Sequence, residues 1–249
     1  MRTQTIPHTN PKHRKGFSIM EVAIAILVVT VLLTTFLGVF APAQKNIARA
    51  LSVKEVNRLS SALENELGVL RDGEEANFDS SFDKAYQWIA NSPNPAKAVV
   101  VYQYNAAKED DDSDGILPGV LQDGTKVAGV HYTSQTVARR LGDDDAILQD
   151  HLRPGVIDGA LYVVRFVQLV KDSTDGSLIV NSSPQTGKLA DPDDSSNSFD
   201  DAATYPKAQV AVKAEFYKLR SNQYSALTNG FDFTKMGKPI AVINLGVRR

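Results

Sequence analysis

The chain has 249 residues, 43% of them hydrophobic and 22% charged, the proportions of a folded protein with room for one ordinary domain and an appendage. It contains no cysteine, which excludes a disulfide framework and any thiolate metal site. Its formal charge of -2 is unevenly spread: residues 1–16 carry Arg2, Lys12, Arg14 and Lys15 and no acid, and the remainder holds 23 basic against 29 acidic residues, a net charge of -6. That remainder has no basic tract beyond Arg139-Arg140 and Arg248-Arg249, so no nucleic-acid partner is expected for it.

In chain order, a basic segment over 1–16 is followed by an almost wholly apolar one over 17–43, in which Glu21 is the only charge. The uncharged stretch 22–43 is 22 residues long, and as a helix it spans roughly 33 Å, against about 30 Å for a bilayer core. Lys12, Arg14 and Lys15 ahead of it are expected to remain cytoplasmic, which sends the rest of the chain outward. Glu21 is the anomaly, because a carboxylate at the centre of a membrane helix costs on the order of 2–3 kcal/mol, and less toward the edge. Some partner must offset that cost.

The residues around it read Lys15-Gly16-Phe17-Ser18-Ile19-Met20-Glu21-Val22. This resembles the prepilin processing site of type IV pilins and type II secretion pseudopilins. The resemblance implies cleavage by a prepilin peptidase between Gly16 and Phe17, methylation of the new Phe17 amine, and Glu21 as the acid at the fifth position of the mature chain. The implied chemistry is coherent: Glu21 of one subunit neutralises the cationic Phe17 amine of its neighbour as both enter apolar surroundings, whereas an unpaired Glu21 disfavours assembly. Glycine before the scissile bond lets the backbone lie close in a peptidase cleft.

The resemblance further implies other pilin or pseudopilin subunits, an inner-membrane assembly platform and membrane lipid as partners. The implied location is the bacterial inner membrane, with a periplasmic head, and then a filament. The first fifty residues also resemble a pilin-like class found in multi-gene cassettes of the Verrucomicrobia. Two other readings stay open: a single-pass anchor carrying a monomeric binding domain, and a secretory signal cut after Ala41-Pro42-Ala43 to release a soluble domain from Gln44. The apolar stretch exceeds the 7–15 residues usual for a signal.

Beyond Pro42, Ile47, Leu51, Val56, Leu59, Leu63, Leu67 and Leu70 recur mostly every fourth residue between charges. That spacing predicts an amphipathic continuation of the helix over 44–70, with Pro42 bending or loosening it. The remainder, 71–249, is expected to be an α+β head: a short helix around Phe78, Phe82, Ala85, Trp88 and Ile89 at the edge of an antiparallel sheet. Its strands are predicted over 98–104, 127–133, 161–170, 178–180, 210–219 and 240–247, which are rich in β-branched and aromatic residues. Val210, Val212, Ala214 and Phe216 alternate with Lys213 and Glu215, predicting one buried and one solvated sheet face. Helix, connecting segment and sheet follow in the order of the pilin-like fold.

Residues 105–125 and 181–208 concentrate Asp, Ser, Asn, Gly and Pro and are expected to be exposed loops. Asp110, Asp112, Asp114 and Gly115 open like a calcium loop, but the twelfth position is Leu121, where a bidentate glutamate is needed. A solvated acidic loop is the plainer reading. Asp191, Asp193, Asp194, Asp200 and Asp201 lie in the second stretch, and the pseudopilin resemblance allows one structural calcium there. Four histidines, no nucleophile-elbow motif and no phosphate-binding glycine loop leave little foothold for enzymatic chemistry. The resemblance to pilins and pseudopilins implies a structural subunit, a minor pilin or pseudopilin, with no cofactor required.

Overall fold

The structure, a computed structural model, describes residues 18–107, 132–143, 145–229 and 231–249. Internal contacts divide the chain into two units, Met1–Leu51 and Ser52–Arg249. Helix α1, Ile19–Gly68, contributes to both, and its ends lie within about two residues of the expected span. In the first unit α1 is the only element among the described residues, and it runs through position 42 without a break in the helix assignment. Ile47 and Leu51, expected on the buried stripe, are 61% and 63% exposed. Their unit contains no second described element to cover them.

The second unit follows the last turns of α1 with helix α2, Ser81–Asn91, and strands β1, Val99–Ala107, and β2, Tyr132–Arg140. Next come helix α3, Asp145–His151, and strands β3, Ile157–Lys171, β4, Leu178–Val180, β5, Leu189–Ala190, and β6, Ser198–Phe199. Strand β7, Gln209–Lys218, helix α4, Ser225–Thr228, and strand β8, Ala241–Arg248, complete it. The main sheet is antiparallel in the order β2-β1-β3-β7-β8, with β4 paired to the far end of β3, while β5 and β6 form a separate ladder. The layout is α+β.

One sheet face is buried by the helices. Val56, Leu59, Leu63 and Leu67 of α1 join Phe82, Tyr86, Trp88 and Ile89 of α2 against Val99, Val101, Val164, Phe166, Val212 and Phe216. Each leucine so buried contributes about 1.5–3 kcal/mol. Helix α2 starts where Ser80 Oγ accepts the Asp83 N–H at 3.1 Å, satisfying one of its free amide donors. It lies across this face, against β3 and β8, with Trp88 fully buried.

The opposite face departs from the expected alternation. Lys213 and Glu215 are partly exposed as an ion pair at 2.8 Å, but Val100, Tyr102, Leu161, Val163 and Tyr217 form a second core. Leu148 and Leu152 from the α3 region, Leu227 of α4, Phe231 and Phe233 cover it. The sheet is solvated on this face only over part of its area. Strand β2 was not expected past 133, because Ser-Gln-Thr-Val-Ala-Arg-Arg lacks an apolar alternation. Its register with β1 runs from Val99 opposite Arg140 to Ala107 opposite Tyr132.

The 181–208 stretch is not simply an exposed loop. Leu189, Ala190, Ala202 and Tyr205 are buried. The buried Gln168 amide binds the Ala190 backbone twice, its Nε2 donating to the carbonyl at 2.7 Å and its Oε1 accepting the N–H at 2.8 Å. Tyr86 Oη donates to the Phe199 carbonyl at 2.6 Å. A buried side chain thus supplies the pairing that a neighbouring strand usually gives.

A similar device protects β3 where β1 has not yet begun. Ser92 Oγ accepts the Phe166 N–H at 3.0 Å and donates to the Phe166 carbonyl at 3.1 Å. Ser92→Ala strands both buried groups, and the expected cost is about 2–4 kcal/mol. A shift in urea midpoint worth less than about 0.5 kcal/mol would show that water takes the hydroxyl's place.

Candidate functional site: the apolar helix and its glutamate

Ser18 opens α1, its Oγ accepting the Met20 N–H at 3.3 Å while its carbonyl accepts the Val22 N–H at 3.1 Å. Glu21 stands in the first turn with an exposed side chain. The Ser18-x-x-Glu21 spacing is that of a capping box, and a carboxylate here also complements the helix dipole. These local roles make helix formation compatible with Glu21, whatever partner it later meets.

From Ile19 to Phe40 the helix is 22 residues long, with a mean hydropathy of 2.7, and none of it is buried. Thr30, Thr34 and Thr35 each donate their hydroxyl to the carbonyl four residues earlier, at 2.7, 2.7 and 2.8 Å. The segment therefore presents no unsatisfied hydroxyl donor to hydrocarbon, as a lipid-facing helix requires. Phe36 and Phe40 stack at 5.1 Å between ring centroids. By length and composition the helix can anchor the chain in a membrane or act as a signal sequence.

Gly16 and Phe17 lie outside the described residues, as do Asp110, Asp112, Asp114, the histidines His8, His13 and His131, the 127–131 part of the expected strand and the 108–125 part of the first loop. The acidic 181–208 stretch is described, and Asp191, Asp193, Asp194 and Asp201 have partners. Asp191 Oδ1 accepts the Asp193 N–H at 2.9 Å, Asp201 Oδ1 the Ala203 N–H at 2.8 Å, and Asp194 the Ser196 and Asn197 side chains at 2.6 and 2.8 Å. No group of three or more His, Asp or Glu among the described residues could hold a metal ion.

Asp193 lies between two ammonium groups, Lys171 at 2.5 Å and Lys207 closer still. Hydrogen bonds from Lys171 and then Lys207 hold its carboxyl down to about 2. A depressed carboxylate contributes stability that is present above its unfolded value, about 3.9, and lost as pH falls through the folded value. The Asp193 carboxyl resonance is expected to titrate near pH 2, and Lys171→Gln with Lys207→Gln should raise the midpoint toward 4. A wild-type midpoint near 4 would mean that the two lysines do not hold it.

Two clusters in the second unit went unrecognised in the sequence. His151, buried at the end of α3, stacks on Tyr104 at 3.9 Å between centroids, and its Nδ1 lies 2.8 Å from Tyr102 Oη. This is a packed part of the second core. Lys84, fully buried on α2, reaches Glu66 Oε1 at 2.6 Å, Glu74 Oε2 at 2.8 Å and the Val69 carbonyl at 3.0 Å. The only sequence signal for it was a lysine on the apolar side of a short helix.

The chain matches no family model, no curated protein and no solved structure.

Proposed function

We propose that this chain is a structural subunit of a type IV pilus-like or type II secretion-like filament, a minor pilin or pseudopilin made as a precursor. A prepilin peptidase cuts between Gly16 and Phe17 and the Phe17 amine is methylated. The helix then holds the subunit in the inner membrane, with the second unit in the periplasm, until an assembly platform draws it into a filament. The observation that carries this reading is Glu21, a single exposed acid in the first turn of an otherwise apolar and uncovered 22-residue helix. Such a charge is costly in lipid and needs a cationic partner, and the neighbour's Phe17 amine is one.

Ile47 and Leu51 add exposed apolar surface beyond the span, which suits a helix that packs against other copies of itself. The burial of Val56, Leu59, Leu63 and Leu67 on the sheet supports a division of α1 into an assembly part and a head-packing part. The head is large and cysteine-free, which favours a minor subunit over a major one.

The direct test is the N-terminal sequence and mass of the protein recovered from native membranes or shed filaments. A start at methylated Phe17 is expected. A start at Gln44 would replace this function with that of a secreted soluble domain, and an intact Met1 with that of a simple membrane anchor.

A further inference from the structure

The strand and turn that close the second unit bring together cations that the sequence keeps apart. Lys218 and Arg220, at the end of β7, line one cavity of about 380 Å³ with Lys235 and Lys238 from the turn before β8. All four are exposed. Among the described residues, the only acid within ion-pair distance of any of them is Asp232, 3.9 Å from Lys235. Asp232 is itself committed to Thr234, whose N–H and hydroxyl it accepts at 2.8 Å each. A local excess of positive charge in a chain of net charge -2 is set against the trend of the whole molecule.

The same cavity has an apolar side formed by Tyr217, Leu219, Phe231, Met236 and Ile240. Phe231 is only 9% exposed and belongs to the second core, so this side is backed by packed structure. Lys218, Leu219 and Arg220 also line an adjoining hollow that contains Glu55.

We propose that this cavity binds the phosphate of an anionic phospholipid, with the glycerol and first methylenes of the lipid against Phe231, Met236 and Ile240. The proposal rests on the reading that Ile19–Phe40 lies in a membrane. Cations near a bilayer surface attract anionic headgroups, each with a modest and salt-sensitive effect. A free phosphate uses the cations but leaves the apolar side unpaired. A nucleic acid needs a longer charged track than four side chains at one cavity. An amphiphilic anion supplied by the membrane that anchors the chain matches both halves. The cations take the phosphate and the apolar side takes the chain nearest to it.

The test uses the full chain in neutral detergent micelles, titrated with dihexanoyl-phosphatidylglycerol and read by amide hydrogen exchange over 218–240. Saturable protection is expected with this lipid, and not with dihexanoyl-phosphatidylcholine, inorganic phosphate or a double-stranded oligonucleotide. Lys235→Gln with Lys238→Gln should weaken it about 25-fold, about fivefold for each cation. Both side chains are exposed, so an unchanged melting temperature will show that the fold is intact. Equal protection by phosphatidylcholine, or none by either lipid, overturns the proposal. Equal protection by inorganic phosphate reassigns the cavity to a soluble anion, and stronger protection by the oligonucleotide reassigns it to nucleic acid. The readout lies wholly in the second unit, so its failure is distinguishable from a failure of processing at Phe17.

Discussion

Lys84→Ala is expected to destabilise the second unit by about 3–5 kcal/mol, the usual cost of removing one partner from a buried ionic cluster. The Lys84 side chain is fully buried, and its ammonium reaches Glu66, Glu74 and the Val69 carbonyl, with the Trp88 ring centroid 5.1 Å away. Glu66 also accepts from Arg71 Nε at 2.8 Å and stands 3.6 Å from Arg139 of β2, while Glu74 pairs with Arg71 at 2.6 Å. One cluster thereby joins the end of α1, the turn after it, α2 and an edge strand. The Val69 carbonyl follows the end of α1, where helical carbonyls lack intrahelical donors. Lys84 supplies one.

In a domain of this size the loss should lower the melting temperature by roughly 6–20 °C. Lys84→Met restores the stem's packing but not the charge, so its cost should lie between wild type and the alanine variant. If both variants melt within about 2 °C of wild type, the cluster does not organise this junction.

The cluster also predicts the direction of acid sensitivity. Burial pushes the Glu74 carboxyl up, but hydrogen bonds from Lys84 and the Arg71 N–H, together with both positive charges, outweigh it and leave the carboxyl below its usual range. Its contribution is therefore full above the ordinary glutamate range and fades as pH falls through the lowered value. In Lys84→Ala this part of the acid sensitivity should shrink.

The second large effect concerns Glu21. On the proposed function, Glu21→Ala should leave membrane insertion unchanged and reduce filament incorporation by at least about a hundredfold, because it would leave the neighbour's amine without its proposed partner in apolar surroundings at a cost of about 3 kcal/mol or more. Glu21→Gln separates charge from helix capping. Glutamine can still complete the box with Ser18 but cannot neutralise an amine, so it should fail in assembly like alanine while keeping helix content. Subunit recovery in sheared filaments, measured against the membrane fraction, reads the effect. If either variant assembles as wild type does, the proposed pairing is wrong and a monomeric tether becomes the better account.

Where backbone period and side-chain type agree over a long run, the sequence was legible. The apolar run ending at Phe40, the leucines of α1 from Val56 onward, the span of β4 and the inward alternation along β7 could all be read without coordinates. The Glu21 anomaly also lies in sequence alone, because a lone charge in an apolar run is visible without coordinates and is costly once the run enters lipid.

Other features were decided by tertiary structure. The residues Ser134 to Arg140 carry no strand pattern of their own and are a strand through their ladder with β1. The polar 181–208 stretch is held because Gln168 and Tyr86 reach it across long sequence separations, Tyr86 also packing on its Tyr205. The second face of the sheet is covered because α3, α4 and the 231–236 turn fold back over it. The cations Lys218, Arg220, Lys235 and Lys238 share a cavity only because the chain turns between β7 and β8. The physical reason is common to these cases: local periodicity is encoded between neighbours in the chain, whereas pairing, coverage and charge clustering depend on which distant segments meet.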